Sequence, residues 1–245
     1  MTKLWLDLGN TRLKYWLSEN GIIKNHDAQL HLQAPAELLM GLSDTFIRLQ
    51  PTFIGISSVL GDKINAKVLA TLDIMGIRYE FAKVHQSHPL IQSHYHPDQL
   101  GVDRWLQMLG VVDCSKHQCI IGCGTAMTID IIEKGVHLGG YIFPNARLQR
   151  ESLFVGTKQI GQFSHMDSYG GVQPATRTVD AVNHGILLSI IGAIHEVMTS
   201  HPNHEFIMTG GDAPHIAQHL NKKVTIRQDL VLEGLQRYFN QADSH

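Results

Sequence analysis

Apolar positions along the chain switch repeatedly between a two-residue period and a three-to-four-residue period. Residues 4–8 form a short apolar strand with Asp7 near its end, Asn10-Thr11 a turn, and residues 13–18 a second strand returning antiparallel towards an Asn20-Gly21 turn. From Pro35 to Leu49 the spacing of Leu38, Leu39, Leu42, Phe46 and Leu49 is helical, with proline in the first turn. Residues 53–59 predict an apolar strand, 62–75 a helix stopped before Gly76, and 77–82 another strand. Residues 83–100 carry His, Gln, Ser and Pro with little periodicity and read as a long loop, followed by a helix at 103–112.

The pattern then restarts. A buried strand at 118–121 runs into Gly122-Cys123-Gly124-Thr125, a strand at 127–133 turns back at Lys134-Gly135, and a third strand (138–143) and a helix (145–155) follow. Residues 156–176 read as a polar, glycine-rich loop, and 179–199 as the longest helix, with Val182, Ile186, Ile190, Ala193 and Val197 on one stripe. A strand at 206–208 ends at Gly210-Gly211, and a short helix, a strand at 224–226 and a helix from Leu230 complete the chain. A strand that ends in a turn with glycine and threonine and then folds back thus occurs at 4–18 and again at 119–133. The echo favours an α/β fold of two similar lobes, residues 1–115 and 116–245, with a cleft between them. A single doubly wound sheet is the alternative that periodicity leaves open.

Composition narrows the function classes. With 245 residues, 43% hydrophobic and 17% charged, the chain suits one large domain or two small fused ones, and intrinsic disorder is excluded. Lys and Arg number 20 against 22 Asp and Glu, a formal net charge of −2, so no basic surface is available to track nucleic-acid phosphates. Three cysteines, all between Cys114 and Cys123, suit a reducing compartment better than a disulfide framework. Charges come too early for a signal peptide and the longest apolar run, residues 185–194, is short for a membrane span; the expectation is a cytoplasmic protein without membrane contact. Sixteen histidines raise the question of metal binding, at His85 and His88, His94 and His96, His201 and His204, or His215 and His219. Only the last spacing puts two imidazoles on one helix face, and it lacks the glutamate of a zinc protease motif, so no histidine-held metal is expected.

Four short segments carry candidate chemistry. Asp7-Leu8-Gly9-Asn10-Thr11, with Lys14 after it, offers a carboxylate for hydrated Mg²⁺, turn amides and a cation for phosphate, although a plain hairpin turn reads the same way. Gly122-Cys123-Gly124-Thr125 has two glycines at dinucleotide-loop spacing but Met127 at the third position, which argues for a phosphate-wrapping hairpin and against a dinucleotide fold. Asp103, at a helix start beside Arg104, is either a cap or a general base next to an anion clamp. Thr209-Gly210-Gly211-Asp212 is a turn where a base or ribose could press on bare backbone.

The ordered set is more specific than its parts. Asp7-Leu8-Gly9-Asn10-Thr11 with Lys14, Gly101-x-Asp103-Arg104-Trp105, Gly122-x-Gly124-Thr125-Ala126-x-Thr128, Gly139-Gly140-Tyr141-Ile142-x-Pro144 and Thr178-Val179-x-Ala181-Val182-x-x-Gly185 together closely resemble the type III pantothenate kinases. The resemblance covers essentially the whole chain. It implies two ribonuclease H-like lobes of the actin, sugar-kinase and heat-shock ATPase superfamily. It also implies ATP- and Mg²⁺-dependent phosphorylation of pantothenate to 4′-phosphopantothenate, the first step of coenzyme A synthesis. By that resemblance Asp7, Leu8, Gly9, Asn10, Thr11, Arg12, Leu13 and Lys14 form the first phosphate motif, Asp7 holds Mg²⁺ directly or through water, and Thr125 is the second phosphate contact. Asp103 takes the proton of the attacking hydroxyl; Tyr95, Gly101, Val102, Asp103 and Arg104 contact pantothenate; Thr178 comes from the partner subunit of a homodimer. One position departs from the pattern: where many members carry an aspartate for a monovalent cation such as K⁺ or NH₄⁺, this chain has Gly122, which leaves that cation in question. The alternatives are a superfamily kinase for another small alcohol, or an accessory regulator that keeps the fold without the chemistry.

Overall fold

β1 (Thr2–Leu8) is the spine of the first sheet in the computed structural model, which describes residues 1–31, 34–157 and 170–242. It pairs antiparallel with β2 (Arg12–Glu19), which pairs antiparallel with β3 (Ile22–Leu30) across a turn where Asn20 and Gly21 both take positive φ, as a type I′ hairpin needs. After α1 (Pro35–Leu49), β4 (Phe53–Ser58) adds parallel to the other edge of β1, and after α2 (Asp62–Met75), β5 (Tyr79–Phe81) adds parallel to β4. The order is β3-β2-β1-β4-β5. Leu4, Leu6, Leu8, Ile54 and Ile56 point to the face covered by Leu39 and Phe46 of α1 and Leu72 of α2. Burial on both faces is why β1 and β4 read as continuous apolar runs instead of alternating ones.

Sequence reading did not find β3. Most of its side chains are exposed, so Lys24, Asn25, His26 and Asp27 leave no apolar period, and their charge suits a sheet edge that must not pair with another chain. The 83–100 segment is the expected loop, broken only by the two-residue β6 (Gln92–Ser93) and a 3₁₀ turn at Pro97–Gln99.

The second face of this sheet is closed by α3 (Val102–Val111) and by α7 (Leu230–Ala242), the last helix of the chain. Trp5 on that face meets Phe239, their ring centroids 6.2 Å apart. Gly234 of α7 lies so close to the Leu106 carbonyl of α3 that a Cβ has no room, and Arg237 donates to the Leu109 carbonyl at 3.0 Å. Residues from Leu230 on therefore belong with residues 1–111, which corrects the 115/116 lobe boundary read from the sequence. The reason is the amphipathic face of α7, which is buried on α3 and β1 and so leaves the second unit as Val112–Asp229.

That second unit repeats the first. β7 (His117–Cys123) pairs antiparallel with β8 (Ala126–Glu133), and β8 with β9 (Val136–Pro144) through a Lys134-Gly135 turn of positive φ. α4 (Ala146–Gly156) and α5 (Thr178–Ser200) precede β10 (Glu205–Thr209), parallel to β7; α6 (Ala213–Ala217) and β11 (Thr225–Ile226) follow. The spatial order β9-β8-β7-β10-β11 reproduces β3-β2-β1-β4-β5 strand for strand, so the sequence echo is a repeated topology. Cys119, Ile121, Met127 and Ile129 pack on Ile186, Ile190 and Ile194 of α5. By length and composition α5 is long enough to cross a bilayer, yet this buried stripe makes it the core helix of its unit. The loop expected at 156–176 lies largely outside the described residues.

Candidate active site

The first turn is built by β1 and β2. Asp7 stands opposite Lys14 across the antiparallel pair and beside Ser57 in the parallel pair with β4, so all three side chains project from one face of the sheet. Asp7 is buried, and the Ser57 hydroxyl beside it is fully buried with no hydrogen-bond partner. A carboxylate next to an orphaned hydroxyl fits a hydrated Mg²⁺, because water on the ion can satisfy both. The turn itself is tight, the Gly9 N–H donating to the Arg12 carbonyl at 3.1 Å. Asn10 and Arg12 are exposed on it and Thr11 is half-buried, whereas Leu8 and Leu13 are fully buried in the core. Those two leucines can offer a ligand only their backbone. A residue that the sequence did not point to holds the turn: His31, buried, has its Nε2 2.9 Å from the Gly9 carbonyl, and its N–H donates to the Thr11 carbonyl at 3.3 Å.

The same unit carries the α3 start. Asp103 is in the first turn of α3 and half-buried, where helix N–H groups favour its negative charge. A Cβ on Gly101 would sit 2.5 Å from the Asp103 Oδ1, so only glycine leaves the carboxylate its place. Arg104 is buried at 3% exposure with its guanidinium 5.3 Å from the centre of the Tyr95 ring, a cation–π contact. Tyr95 and Arg104, nine residues apart across the loop, are thus brought together; Val102, just before Asp103, is half-buried. The arrangement places a carboxylate beside a fixed cation, which is what an alcohol with a nearby anionic group requires.

In the second unit, the β7–β8 turn mirrors the first. The Gly124 N–H donates to the Ala126 carbonyl at 3.3 Å, and Gly124 and Thr125 reach the surface. Asn145 plays the part of His31: its Nδ2 donates to the Gly124 carbonyl at 2.9 Å while its Oδ1 accepts the Leu148 N–H at 2.9 Å, capping α4. Each glycine turn is therefore pinned through its carbonyl by one side chain from the following connection. The signals that could have flagged these residues are weak: an asparagine after Pro144 at a helix start, and a serine pair ending an apolar strand.

Gly122 is buried and supplies no carboxylate for a monovalent cation. Asp130, on the same strand pair, is turned away into a buried contact with His137, Oδ1 to Nε2 2.9 Å. In the Thr209–Asp212 turn, Gly210 takes φ +98° and packs against the Cys123 backbone too closely for a side chain, while Gly211 beside it borders open space. Thr178, exposed, opens α5 at the end of a shallow groove of about 540 Å³ between α4 and α5, lined by Leu153, Ala181, Val182 and Ile186. Burial pushes the Cys123 thiol up to about 12 and the Cys119 thiol higher still, which keeps both protonated and unreactive.

Two sheets of one topology, each with a strand–turn–strand whose glycine turn is pinned through its carbonyl, define the class: a two-unit α/β fold of the kind shared by actin-like ATPases and sugar kinases. Solved structures agree on that fold. The chain matches a putative Baf family transcriptional activator from Campylobacter jejuni with a TM-score of 0.65 at 16% identity, covering 99% of this chain and 100% of that one. It also matches a putative 2-dehydro-3-deoxygalactonokinase from Sinorhizobium meliloti with a TM-score of 0.62 at 14% identity, covering 98% and 96%. The family is more specific than the fold. Residues 3–200 match the type III pantothenate kinase family, and a type III pantothenate kinase from Psychrobacter arcticus is 61% identical over 238 residues, 97% of this chain and 98% of that protein. The chain belongs to the type III pantothenate kinases.

Proposed function

We propose that the protein transfers the γ-phosphoryl group of ATP to the hydroxyl of pantothenate, giving 4′-phosphopantothenate and ADP for coenzyme A synthesis in the cytoplasm. The observation that carries this reading is the family match along residues 3–200 joined to Asp103 on the first turn of α3, beside the Arg104–Tyr95 pair. Asp103 accepts the hydroxyl proton as the oxygen attacks phosphorus, Arg104 takes the pantothenate carboxylate, and Tyr95, Gly101 and Val102 shape the same pocket wall. The 7–14 turn and Thr125 receive phosphates through N–H and hydroxyl donors, with Lys14 as their cation. Asp7 and Ser57 would hold Mg²⁺ through its water; when bound, the ion supplies charge neutralisation to the phosphates. With Gly122 in place of a carboxylate, turnover does not depend on K⁺.

Thr178 serves the active site of a second copy in a homodimer. Apolar side chains left exposed on the same unit, Ile142 at 61% and Val155 at 83%, support that arrangement. Coupled ADP release with ATP and Mg²⁺ tests the whole reading: turnover should require pantothenate and be equal in K⁺ and Na⁺. Turnover with sugars but not pantothenate replaces the substrate, and binding without turnover favours an accessory regulator. The shared site has its own test. Mixed Asp103→Asn and Thr178→Ala chains should regain about a quarter of wild-type turnover, since half the dimers are mixed and each holds one intact site. No recovery in the mixture removes Thr178 from the partner's site.

A further inference from the structure

At the opposite end of β7 from the glycine turn, three side chains converge that the kinase reading does not use. His117 begins β7, Glu133 ends β8 directly across from it in the antiparallel register, and His204 closes the turn between α5 and β10. Their ligand atoms, one from each side chain, all lie within 4.8 Å of one another. Glu133 Oε1 stands 3.8 Å from His204 Nε2 and 3.9 Å from His117 Nδ1. Those separations are too long for hydrogen bonds. They are close to the spacing of about 3.4 Å that neighbouring ligand atoms take around a tetrahedral ion with bonds of about 2.0–2.1 Å.

The buried imidazole supplies the independent sign. The His204 side chain is only 5% exposed, and neither of its ring nitrogens has a hydrogen-bond partner. A buried imidazole with both nitrogens idle forfeits its solvation on two sides, a cost that a bound cation would offset. His201 stacks edge-on at 4.8 Å, and the His204 N–H donates to the His201 carbonyl at 3.2 Å, so the turn is fixed before any ion arrives. Glu205, the one acid next in sequence, is occupied by Lys116 at 2.9 Å and is not part of the set.

We propose that His117, Glu133 and His204 form a binding site for a zinc-class divalent cation, with water in the fourth position on the solvent side. Two imidazoles and one carboxylate select zinc-like ions over Mg²⁺, which takes oxygen ligands, so the site does not compete for the kinase's own ion. It lies roughly 20 Å along the strand from the Gly124 turn at about 3.3 Å per residue, and its part is to clamp the β7–β8 hairpin to the α5–β10 turn. The proposal stands whether or not the pantothenate assignment does.

The test is titration of the metal-stripped full chain with Zn²⁺ against a chromophoric chelator, with thermal unfolding and Co²⁺ absorption alongside. One tight equivalent should bind, raise the melting temperature and give the intense visible bands of four-coordinate Co²⁺. His204→Gln and His117→Gln should each weaken binding at least tenfold, while the His215→Gln, His219→Gln double variant should bind as wild type does. His117 is half-exposed, so its variant keeps the test valid should His204→Gln fail to fold. Unchanged affinity in the His117 and His204 variants, loss in the double variant, or no equivalent tighter than the scatter of surface histidines would overturn the proposal.

Discussion

Asp103 works only if its carboxylate is both placed and free to take a proton. Asp103→Asn keeps the shape and removes the base, so kcat should fall by about 10²–10⁴ while the KM for pantothenate stays within a few-fold. An unchanged kcat would remove Asp103 from proton transfer. Gly101→Ala should mimic part of this loss by displacing Oδ1, with the fold intact by circular dichroism. The two pinning residues make a paired prediction. His31→Ala and Asn145→Ala each free one glycine carbonyl, a hydrogen bond of about 1 kcal/mol, and should raise the KM for ATP about fivefold with less effect on pantothenate. Equal KM values in both variants would make the contacts merely structural. At this scale the sequence showed the motif residues well, because Asp7 to Lys14 and Gly122 to Thr128 are contiguous and each turn is a local object. His31, Ser57 and Asn145 were illegible there: they reach their turns from 22, roughly 50 and 21 positions away, and only pairing brings them close.

Elements were legible to the extent that they bury a side. α1 and α2 have the bounds that periodicity predicts, since each has an apolar stripe, a proline or acid at the start and a left-handed C-cap, Gln50 or Gly76. β3 was not, since an exposed edge strand needs no apolar pattern. The α3–α7 contact is likewise silent in sequence, though its physical requirement is simple: Gly234 must stay small. Gly234→Leu should destabilise the chain by about 1–3 kcal/mol in urea titration, as overpacked helix crossings do. A neutral result would mean that α7 does not seat on α3. The buried Asp130–His137 contact gives a second stability test: His137→Ala removes one hydrogen-bond partner from a buried carboxylate and should cost about 1–3 kcal/mol, with the melting temperature as readout.

For the whole molecule, two properties follow from a chain that leaves its first unit and returns to it. A chain ending at residue 229 lacks α7 and uncovers Trp5; it should lose the near-ultraviolet signal of that tryptophan's fixed packing, and retention of that signal would make α7 dispensable. Stability should also depend on acid. His88 packs against Trp105 of α3 and near His85 and Arg237, and its Nδ1 accepts the Leu90 N–H at 3.3 Å; burial first, then the His85 and Arg237 charges, hold its pKa below the usual 6.5. Above about 6.5 neither state is protonated there and the full stability is present. As pH falls below that, the unfolded chain takes the proton first, and stability is lost until the lower folded value is passed. The melting temperature should drop between neutral and mildly acidic pH, and His88→Gln should flatten the drop. The order of the elements that bury a side, the repeated strand–turn–strand and the two glycine turns were determined by sequence alone, because each depends on neighbours within one turn or hairpin. The return of α7 to the first unit, the pinning of both turns and the His117–Glu133–His204 cluster were decided only by tertiary structure, because strand pairing and helix packing set residues side by side without regard to their distance along the chain.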